Sequence, residues 1–313
     1  MTTAWISHDS CKLHEMGDHH PECPDRISAI EDRLAGDSAL RALLRLETAP
    51  LATAEQLGRA HDPRYVAAIE RLAPRSGFRQ IDPDTAMNPY TLEAVRRAAG
   101  AAVLATDLVV RGEVDNAFCL VRPPGHHAEH ARAMGFCIFN NVAVAVAHAL
   151  AVHGLERVAV VDFDVHHGNG TEDIFRDEPR VMMVSTFQHP LYPYSGIDGR
   201  SERMVNVPLP AGADGRAFRA AVTADWLPAL ERFSPQMLFI SAGFDAHRDD
   251  QLASLALVED DYAWVTRQLM AVADQHSAGR IVSVLEGGYS LPALARSVLA
   301  HVRQLADRPA QGH

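Results

Sequence analysis

Short apolar runs rich in β-branched residues recur along the chain, and glycine, proline or polar residues bound each of them. Runs of this kind are typical of strands that are buried on both faces of a parallel sheet. The predicted strands are Ala117–Val121, Val158–Val161, Val181–Val184, Met237–Ile240 and Ile281–Leu285. Stretches with helical periodicity alternate with them and predict helices at Pro89–Val110, Asn141–Val152, Gly215–Arg232, Asp260–His276 and Leu291–Leu305. This alternation indicates an α/β fold.

The first 90 residues have a less regular pattern, with many histidines and prolines. We expect loops and two helices that cover the sheet, one of which begins at Pro24 and ends near Gly36. Because no repeat, linker or low-complexity segment divides the sequence, residues 1–313 are expected to form one domain. Residues 307–313 are expected to be a frayed tail.

Composition and charge exclude several classes of protein. Asp and Glu number 40 against 29 Lys and Arg, a net charge of −11 without any basic block, so no direct nucleic-acid partner is expected. The N-terminus lacks the basic and apolar regions of a signal peptide, and the longest apolar stretch, Val142 to Val152, is too short for a bilayer. These features predict a cytoplasmic protein with no membrane partner. The four cysteines form no Cys-x-x-Cys pair, which indicates reduced thiols.

Polar residues follow four of the predicted strands, at the ends where open parallel sheets bind ligands. The segments after these strands are RPPGHH, DFDVHHGNG, SAGFDAH and EGGY, and we expect them to converge on one rim. Asp162, Asp164 and His166 are spaced by two, so they share one face if the strand continues. Alone, such a run is also typical of a capped loop with solvated carboxylates. With Asp245 from another strand end, the Asp-His-Asp set predicts an open, catalytic type of metal site.

Two further features of this rim predict acid–base chemistry. A Pro-Pro-Gly turn precedes His126 and His127, so the backbone holds two adjacent imidazoles in fixed directions. One imidazole can accept a proton from water and the other can pass a proton to a leaving amine near neutral pH. Tyr289 follows two glycines, which gives its phenol the freedom to approach the metal; the competing interpretation is a tyrosine packed against the sheet.

The segments RPPGHHAEHARAMGFCIFNN, VAVVDFDVHHGNGTEDIF, SAGFDAHRDD and LEGGYS resemble those of the zinc-dependent histone deacetylase family, also called the deacetylase/acetoin-utilisation/amidohydrolase superfamily. The resemblance runs from about His8 to Ala306. It implies an arginase-like α/β fold with a central, mostly parallel eight-stranded sheet flanked by helices. It also implies hydrolysis of acetyl or other acyl amides, typically of lysine side chains.

The resemblance assigns roles to individual residues. The implied ligands of Zn²⁺, or alternatively Fe²⁺, are Asp164, His166 and Asp245. The implied catalytic residues are His126, His127, Tyr289, Asp162 and Asn169. A structural K⁺ site is implied at Asp162, Asp164, His166, Ser185 and Thr186. The implied substrate tunnel comprises Gly135, Phe136, Tyr192 and Leu252, and Arg26 resembles the arginine of a channel that releases acetate.

One position separates this sequence from the nuclear, class I members of the family. Asn169 stands where those members have an aspartate that is hydrogen-bonded to the second histidine, whereas class II-like and many bacterial members have asparagine. A neutral amide fixes the His127 ring but stabilises its protonated form less than a carboxylate does. The site therefore resembles the class II type, and activity is still expected.

Three other functions have sequence requirements that this chain can be compared with. An arginase-type ureohydrolase needs extra aspartates around the ligand strands, and the segment that ends at Asp245 has only one. A catalytically silent acetyl-lysine binding module is signalled by loss of Tyr289 or of a ligand, and all are present. An acetylpolyamine deacetylase uses the same chemistry, but the apolar Leu252 at the tunnel mouth offers no charge for a distal ammonium group.

The predicted partners are therefore acetylated lysine side chains of peptides or proteins, or small acylated amines. The sequence is also compatible with a homo-oligomer.

Overall fold

The computed structural model describes residues 2–198 and 201–307. Its centre is an eight-stranded sheet in which all neighbouring strands are parallel. Within the described residues the strands are β1 Thr3–Ser7, β2 Leu44–Thr48, β3 Arg79–Asp82, β4 Thr85–Met87, β5 Asn116–Leu120, β6 Val158–Asp162, β7 Val181–Gln188, β8 Met204–Leu209, β9 Met237–Ala242 and β10 Ile281–Leu285. The order across the sheet is β2-β1-β5-β10-β9-β6-β7-β8, and β3 pairs with β4 in a separate antiparallel hairpin.

Helices flank the sheet in two packed groups. The helices are α1 Asp25–Ala35, α2 Ser38–Arg41, α3 Ala54–Leu57, α4 Pro63–Leu72, α5 Thr91–Val110, α6 Asn141–Val152, α7 Asn169–Phe175, α8 Gly215–Ala221, α9 Leu227–Phe233, α10 Glu259–His276 and α11 Leu291–Ala306. Helix α5 packs on α6, while α11 packs on both α1 and α10. A 3-10 turn at Asp9–Lys12 precedes α1, and a π-helical turn at Val222–Trp226 joins α8 to α9.

Burial explains why the central strands were recognisable from sequence. Every residue of β5, β6, β9 and β10 is buried, which shows that both faces of the sheet are covered there. A strand without a solvent-facing side does not alternate between apolar and polar residues, so its sequence is a continuous apolar run. All five strands and five helices predicted after residue 88 are present, with the α8–α9 helix interrupted by its π-helical turn.

The expectation for the first 90 residues is wrong. They contribute strands β1 and β2 to the main sheet, form the β3–β4 hairpin and contain four helices instead of two. Strand β2 lies at the edge of the sheet and is largely exposed, so it lacks an apolar run. Strand β8, at the opposite edge, is mostly buried, but Asn206 and Pro208 interrupt its apolar run, so the sequence does not predict it. The helix predicted between Pro24 and Gly36 is present as α1.

Three other expectations concern the C-terminal tail, membrane-spanning helices and the cysteines. Of the predicted tail at residues 307–313, only Asp307 falls within the described residues. No helix in the described part of the chain is both long enough and apolar enough to cross a membrane. All four cysteines are free thiols.

Candidate active site

The four polar segments follow β5, β10, β9 and β6, which are consecutive neighbours at the centre of the sheet. Hydrogen bonds connect the segments to one another. The backbone N–H of Gly287 donates to Asp164 Oδ2 at 2.9 Å, and the N–H of Val165 donates to Asp245 Oδ1 at 2.8 Å. The N–H of Gly125 donates to a carboxylate oxygen of Glu286 at 2.6 Å. The structure thus confirms that the four strand ends form one rim.

Asp164, His166 and Asp245 form a compact cluster at this rim, with one candidate ligand atom from each residue within 4.8 Å of the others. His166 Nδ1 lies 3.0 Å from Asp164 Oδ1 and 3.2 Å from Asp245 Oδ2. Both carboxylates are fully buried, whereas the imidazole is 12% exposed. The cluster therefore has one side that is open to an incoming molecule.

The route by which these residues meet differs from the predicted one. Strand β6 ends at Asp162, so Asp164 and His166 lie in the following loop and not on one face of a continuing strand. Asp162 Oδ1 accepts a hydrogen bond from the N–H of Asp164 at 3.1 Å, and Asp164 Oδ1 accepts one from the N–H of His166 at 2.9 Å. Each carboxylate bonds the backbone two residues further on, as aspartates do in Asx turns.

The chemistry of the cluster fits a divalent cation. Asp245 Oδ2 is buried and has no hydrogen-bond donor, although it faces the other two side chains. Burial and the neighbouring charge of Asp164 raise the pKa of Asp245 to about 7. Two buried carboxylates this close repel each other, and a bound cation removes that repulsion. Two oxygen donors with one imidazole leave further coordination positions open for water and substrate.

A second His/Asp cluster, formed by Asp107 on α5 with His148 and His153 at the end of α6, fits a metal less well. Both imidazole Nε2 atoms already contact Asp107 Oδ1, at 2.9 and 2.7 Å. Arg59 donates to His148 Nδ1 at 2.9 Å, which requires His148 to carry its proton on Nε2. A protonated nitrogen cannot bind a metal, so we interpret this cluster as a hydrogen-bonded helix contact.

The backbone of the two adjacent histidines is held from both sides. The N–H groups of Gly125 and His126 donate to Glu286, and the carbonyl of His126 accepts from the first turn of α7 at Gly170 and Thr171. The ring centres of His126 and His127 are 4.0 Å apart. His126 Nδ1 lies 3.0 Å from Asp162 Oδ2, and His127 Nδ1 lies 2.8 Å from Asn169 Oδ1. Each ring is therefore oriented through its Nδ1 atom.

The two histidines are in different electrostatic environments. Burial opposes protonation of His126, but the carboxylates of Asp164 and Asp162 outweigh it and raise its pKa well above the usual value. Burial lowers the pKa of His127 well below the usual value, and the adjacent His126 and His166 lower it further. At neutral pH this difference favours a neutral His127, which is able to accept a proton, beside a protonated His126.

Tyr289 follows β10 at the same rim and remains a phenol at neutral pH, because burial raises its pKa well above the usual value. Its backbone N–H donates to Asp250 Oδ2 at 2.6 Å. A cavity of about 550 Å³ is lined by Tyr289, by Leu252 and by a wall of other side chains, namely His19, Pro21, Cys23, Gln251, Ser290, Leu291 and Pro292. Leu252 and Tyr289 thus face the same space.

The predicted aromatic residues pack against Tyr289 and His127. The Phe136 ring centre is 5.9 Å from that of Tyr289, and the Tyr192 ring centre is 5.3 Å from that of His127. Gly135 has a φ of +58° and packs against the His127 ring, where an added Cβ would approach the imidazole to 2.4 Å. Glycine is needed at this position for both reasons. The predicted tunnel residues are therefore grouped around the two candidate catalytic side chains.

The residues predicted for the other two sites are also buried. Ser185 pairs in register with Asp162, and its hydroxyl has no hydrogen-bond partner, which is compatible with a bound monovalent cation; Thr186 follows it on β7. Arg26 is fully buried and donates to the carbonyl oxygens of Gly288 at 2.7 Å and Glu286 at 2.5 Å. Arg26 therefore supports the loop that carries Tyr289, and its predicted role in acetate release stays a prediction.

Sequence reasoning missed the supporting roles of two acidic residues. Glu286 is fully buried and is not one of the three candidate metal ligands. Its carboxylate accepts hydrogen bonds from the backbone N–H groups just before His127. Burial raises the pKa of Glu286 to about 7. Asp250 accepts from the N–H groups of Tyr289 and Ser290. The available signal was their position, since both are acidic residues in the segments that follow central strands.

Comparisons with known proteins identify the family and support the fold. A model of the histone deacetylase domain matches residues 20–305. The histone deacetylase-like amidohydrolase of Pseudomonas aeruginosa is 38% identical and covers 97% of this chain and 86% of its own. The polyamine deacetylase HDAC10 of Homo sapiens is also 38% identical, covering 99% of this chain and 49% of its own. The crystal structure of the HDA15 HD domain superposes with a TM-score of 0.90 at 33% identity, covering 97% of this chain and 88% of that one. This chain therefore belongs to the histone deacetylase family of amidohydrolases.

Proposed function

We propose that this protein is a metal-dependent deacetylase that removes acetyl or other acyl groups from lysine side chains. The observation that carries the proposal is the Asp164–His166–Asp245 cluster at the rim that also holds His127 and Tyr289. The ring centre of His127 lies 5.8 Å from that of His166, and Tyr289 lines a cavity of about 550 Å³. A base, an oxyanion donor and a metal site are the groups that hydrolysis of an amide requires, and this rim offers a candidate for each.

Asp164, His166 and Asp245 would hold the metal, for which we propose Zn²⁺, with Fe²⁺ as the alternative that the same ligands accept. When bound, such an ion polarises an amide carbonyl and lowers the pKa of water. His127 accepts the proton of the attacking water through Nε2, because its Nδ1 is engaged by Asn169. Tyr289 donates a hydrogen bond to the developing oxyanion, and His126 or His127 protonates the leaving amine.

Further proposed roles concern binding and support. Asp162, Asp164, His166, Ser185 and Thr186 would form a structural K⁺ site, for which the buried Ser185 hydroxyl without a partner is the supporting observation. Phe136 and Tyr192 would flank the extended lysine side chain, with Gly135 allowing close approach to His127.

The proposed preference for lysine side chains over polyamines rests on the cavity mouth. Among the described residues that line it, Leu252 and its neighbours include no carboxylate that could pair with a distal ammonium group. A charge-assisted contact contributes about 1.5 to 3 kcal/mol, and an acetylpolyamine would lack one at this wall of the cavity. Because one relative is named a polyamine deacetylase, the test must compare both substrates directly.

The experiment is a measurement of kcat/KM for an acetyl-lysine peptide and for acetylputrescine. We expect the wild type to prefer the peptide and Leu252→Glu to shift the ratio toward acetylputrescine by about tenfold or more. Leu46→Glu is the matched control, because Leu46 is a 54% exposed leucine on the edge strand β2. A clear preference of the wild type for acetylputrescine would make polyamine deacetylation the function, and no turnover of either substrate would remove the proposal.

A further inference from the structure

The proton position on His127 determines whether this residue is able to act as a base. A neutral imidazole carries one proton, and a base at the reaction centre needs the free lone pair on Nε2 with the proton on Nδ1. The partner of Nδ1 is Asn169, whose side chain has two chemically different ends. An aspartate would accept from Nδ1–H through either oxygen, whereas an asparagine does so only when its Oδ1 faces the ring. The orientation of the Asn169 amide thus selects the tautomer.

The surroundings of the Asn169 nitrogen select one orientation. Nδ2 lies 2.9 Å from Glu129 Oε1, 3.3 Å from Met134 Sδ and 3.5 Å from the carbonyl oxygen of His127. All three partners are acceptors, and rotating the amide by 180° would place its oxygen against them. The carboxylate of Glu129 makes the strongest of these contacts, because a charged acceptor forms a stronger hydrogen bond than a carbonyl or a thioether.

Backbone contacts hold Glu129 in place. Its N–H donates to the carbonyl of Arg132 at 2.9 Å, within a small antiparallel bridge. Its own carbonyl lies 3.0 Å from His61 Nδ1, which is the donor because His61 Nε2 accepts the N–H of Asn140 at 2.9 Å. The Glu129 side chain is only half-buried and lines a surface cavity of about 360 Å³ with Asn169 and Met134. Substitutions at this position therefore leave the buried core unchanged.

We infer that Glu129 is a positioning residue that keeps the Asn169 amide oxygen toward His127 and so maintains the Nδ1–H tautomer that the proposed reaction needs. This inference rests on the proposed function for its kinetic test. A direct test of the tautomer does not depend on activity.

The direct test is the ¹⁵N spectrum of histidine-labelled wild type, with the His127 signals assigned by comparison with H127Q. The expected result is the Nδ1–H tautomer in the wild type and in E129Q, whose amide oxygen still accepts from Asn169, and the Nε2–H tautomer or a mixture in E129L. Nε2–H in the wild type, or an unchanged Nδ1–H signal in E129L, would overturn the inference.

The kinetic test uses acetyl-lysine peptide as substrate. E129L should lower kcat by about 10- to 100-fold with little change in KM, which is the usual effect of removing a residue that orients a catalytic group. E129Q should stay within about threefold of the wild type. The exposed Glu231 on α9 provides the matched control E231L, which should be unaffected.

A double variant separates positioning from a general structural effect. In E129L/N169D, a carboxylate at position 169 accepts from Nδ1–H in either orientation, so kcat should recover to well above that of E129L. No recovery, or an equal loss in E129Q and E129L, would contradict the inference. If the wild type hydrolyses no acylated amine at all, the proposed function fails, while the ¹⁵N measurement still decides the role of Glu129.

Discussion

The guanidinium carbon of Arg26 lies 4.9 Å from the centre of the Tyr289 ring. Arg26 also donates to Glu22 Oε1 at 3.0 Å, and the same carboxylate accepts from Arg122 through both oxygens, at 2.5 and 2.6 Å. The side chains of all three residues are fully buried. A single carboxylate between two guanidinium groups thus supports the loop that places the candidate oxyanion donor.

Glu22→Gln should destabilise the protein by about 3 to 5 kcal/mol, because it leaves two buried guanidinium groups without a negative partner. The measurement is the free energy of unfolding from urea denaturation. Glu55→Gln is the control, because Glu55 also pairs with an arginine, Arg59, but the Glu55 side chain is 81% exposed. Loss of this surface ion pair should lower the free energy of unfolding by less than about 1 kcal/mol. A loss below about 1 kcal/mol in Glu22→Gln would show that the cluster does not act as described.

The same residue predicts a dependence of stability on pH. Burial tends to raise the pKa of Glu22, but Arg122 and Arg26 outweigh it and lower the pKa from 4.5 to about 2. Because the pKa is lower in the folded state, the contribution of Glu22 is complete above pH 4.5 and disappears as the pH falls toward 2. Above pH 4.5 this contribution of Glu22 to the free energy of unfolding is about 3 kcal/mol.

The difference in unfolding free energy between the wild type and Glu22→Gln should therefore narrow as the pH is lowered through this range. Urea denaturation of both proteins at several pH values measures the difference. If this difference in unfolding free energy stayed constant with pH, the Glu22 carboxylate would have the same pKa in the folded and unfolded states.

Tyr289→Phe should lower kcat by at least about 100-fold, since an oxyanion donor acts in the transition state. Tyr289 is not one of the three candidate ligands, so the bound metal should be retained. Metal content by elemental analysis and kcat on an acetyl-lysine peptide are measured on the same preparation. Turnover near that of the wild type would exclude the proposed role of the phenol.

Asp245→Ala should lose the bound metal and the thermal stabilisation that the metal provides, because a ligand that binds only the folded state raises its stability. Asp107→Ala tests the other His/Asp cluster and should keep the metal content of the wild type. Zinc is measured by elemental analysis and stabilisation by the Tm with and without a chelator. Full zinc occupancy in Asp245→Ala, or its loss in Asp107→Ala, would show that the metal site has been assigned to the wrong cluster.

The central strands and their rim could be predicted from sequence because burial on both faces leaves no polar alternation in β5, β6, β9 and β10. The edges of the sheet could not. Strand β2 is mostly exposed, and β8 contains a proline, so neither differs from a loop in its hydrophobic pattern. The three candidate ligands lie together, as the sequence predicts, but Asx-type turns and not a continuing strand bring Asp164 and His166 together.

The contribution of Glu129 depends on tertiary contacts that local sequence does not encode. It lies 40 positions from Asn169 in the chain, and nothing in the spacing of the two residues indicates a contact. The support of Tyr289 likewise depends on contacts between distant parts of the chain. Arg26 lies on α1 and Glu22 in the loop before it, whereas Tyr289 follows β10. Such contacts become visible only when the folded positions of the side chains are known.

The central claim is that this chain deacetylates lysine side chains through a metal held by Asp164, His166 and Asp245. The most direct measurement is acetate release from an acetyl-lysine peptide by metal-free wild type to which zinc is added stepwise. The account predicts no release without metal, a rise that levels off at one zinc per chain, and no rise in Asp245→Ala. Full acetate release by the metal-free protein, or none at any zinc level, would contradict it.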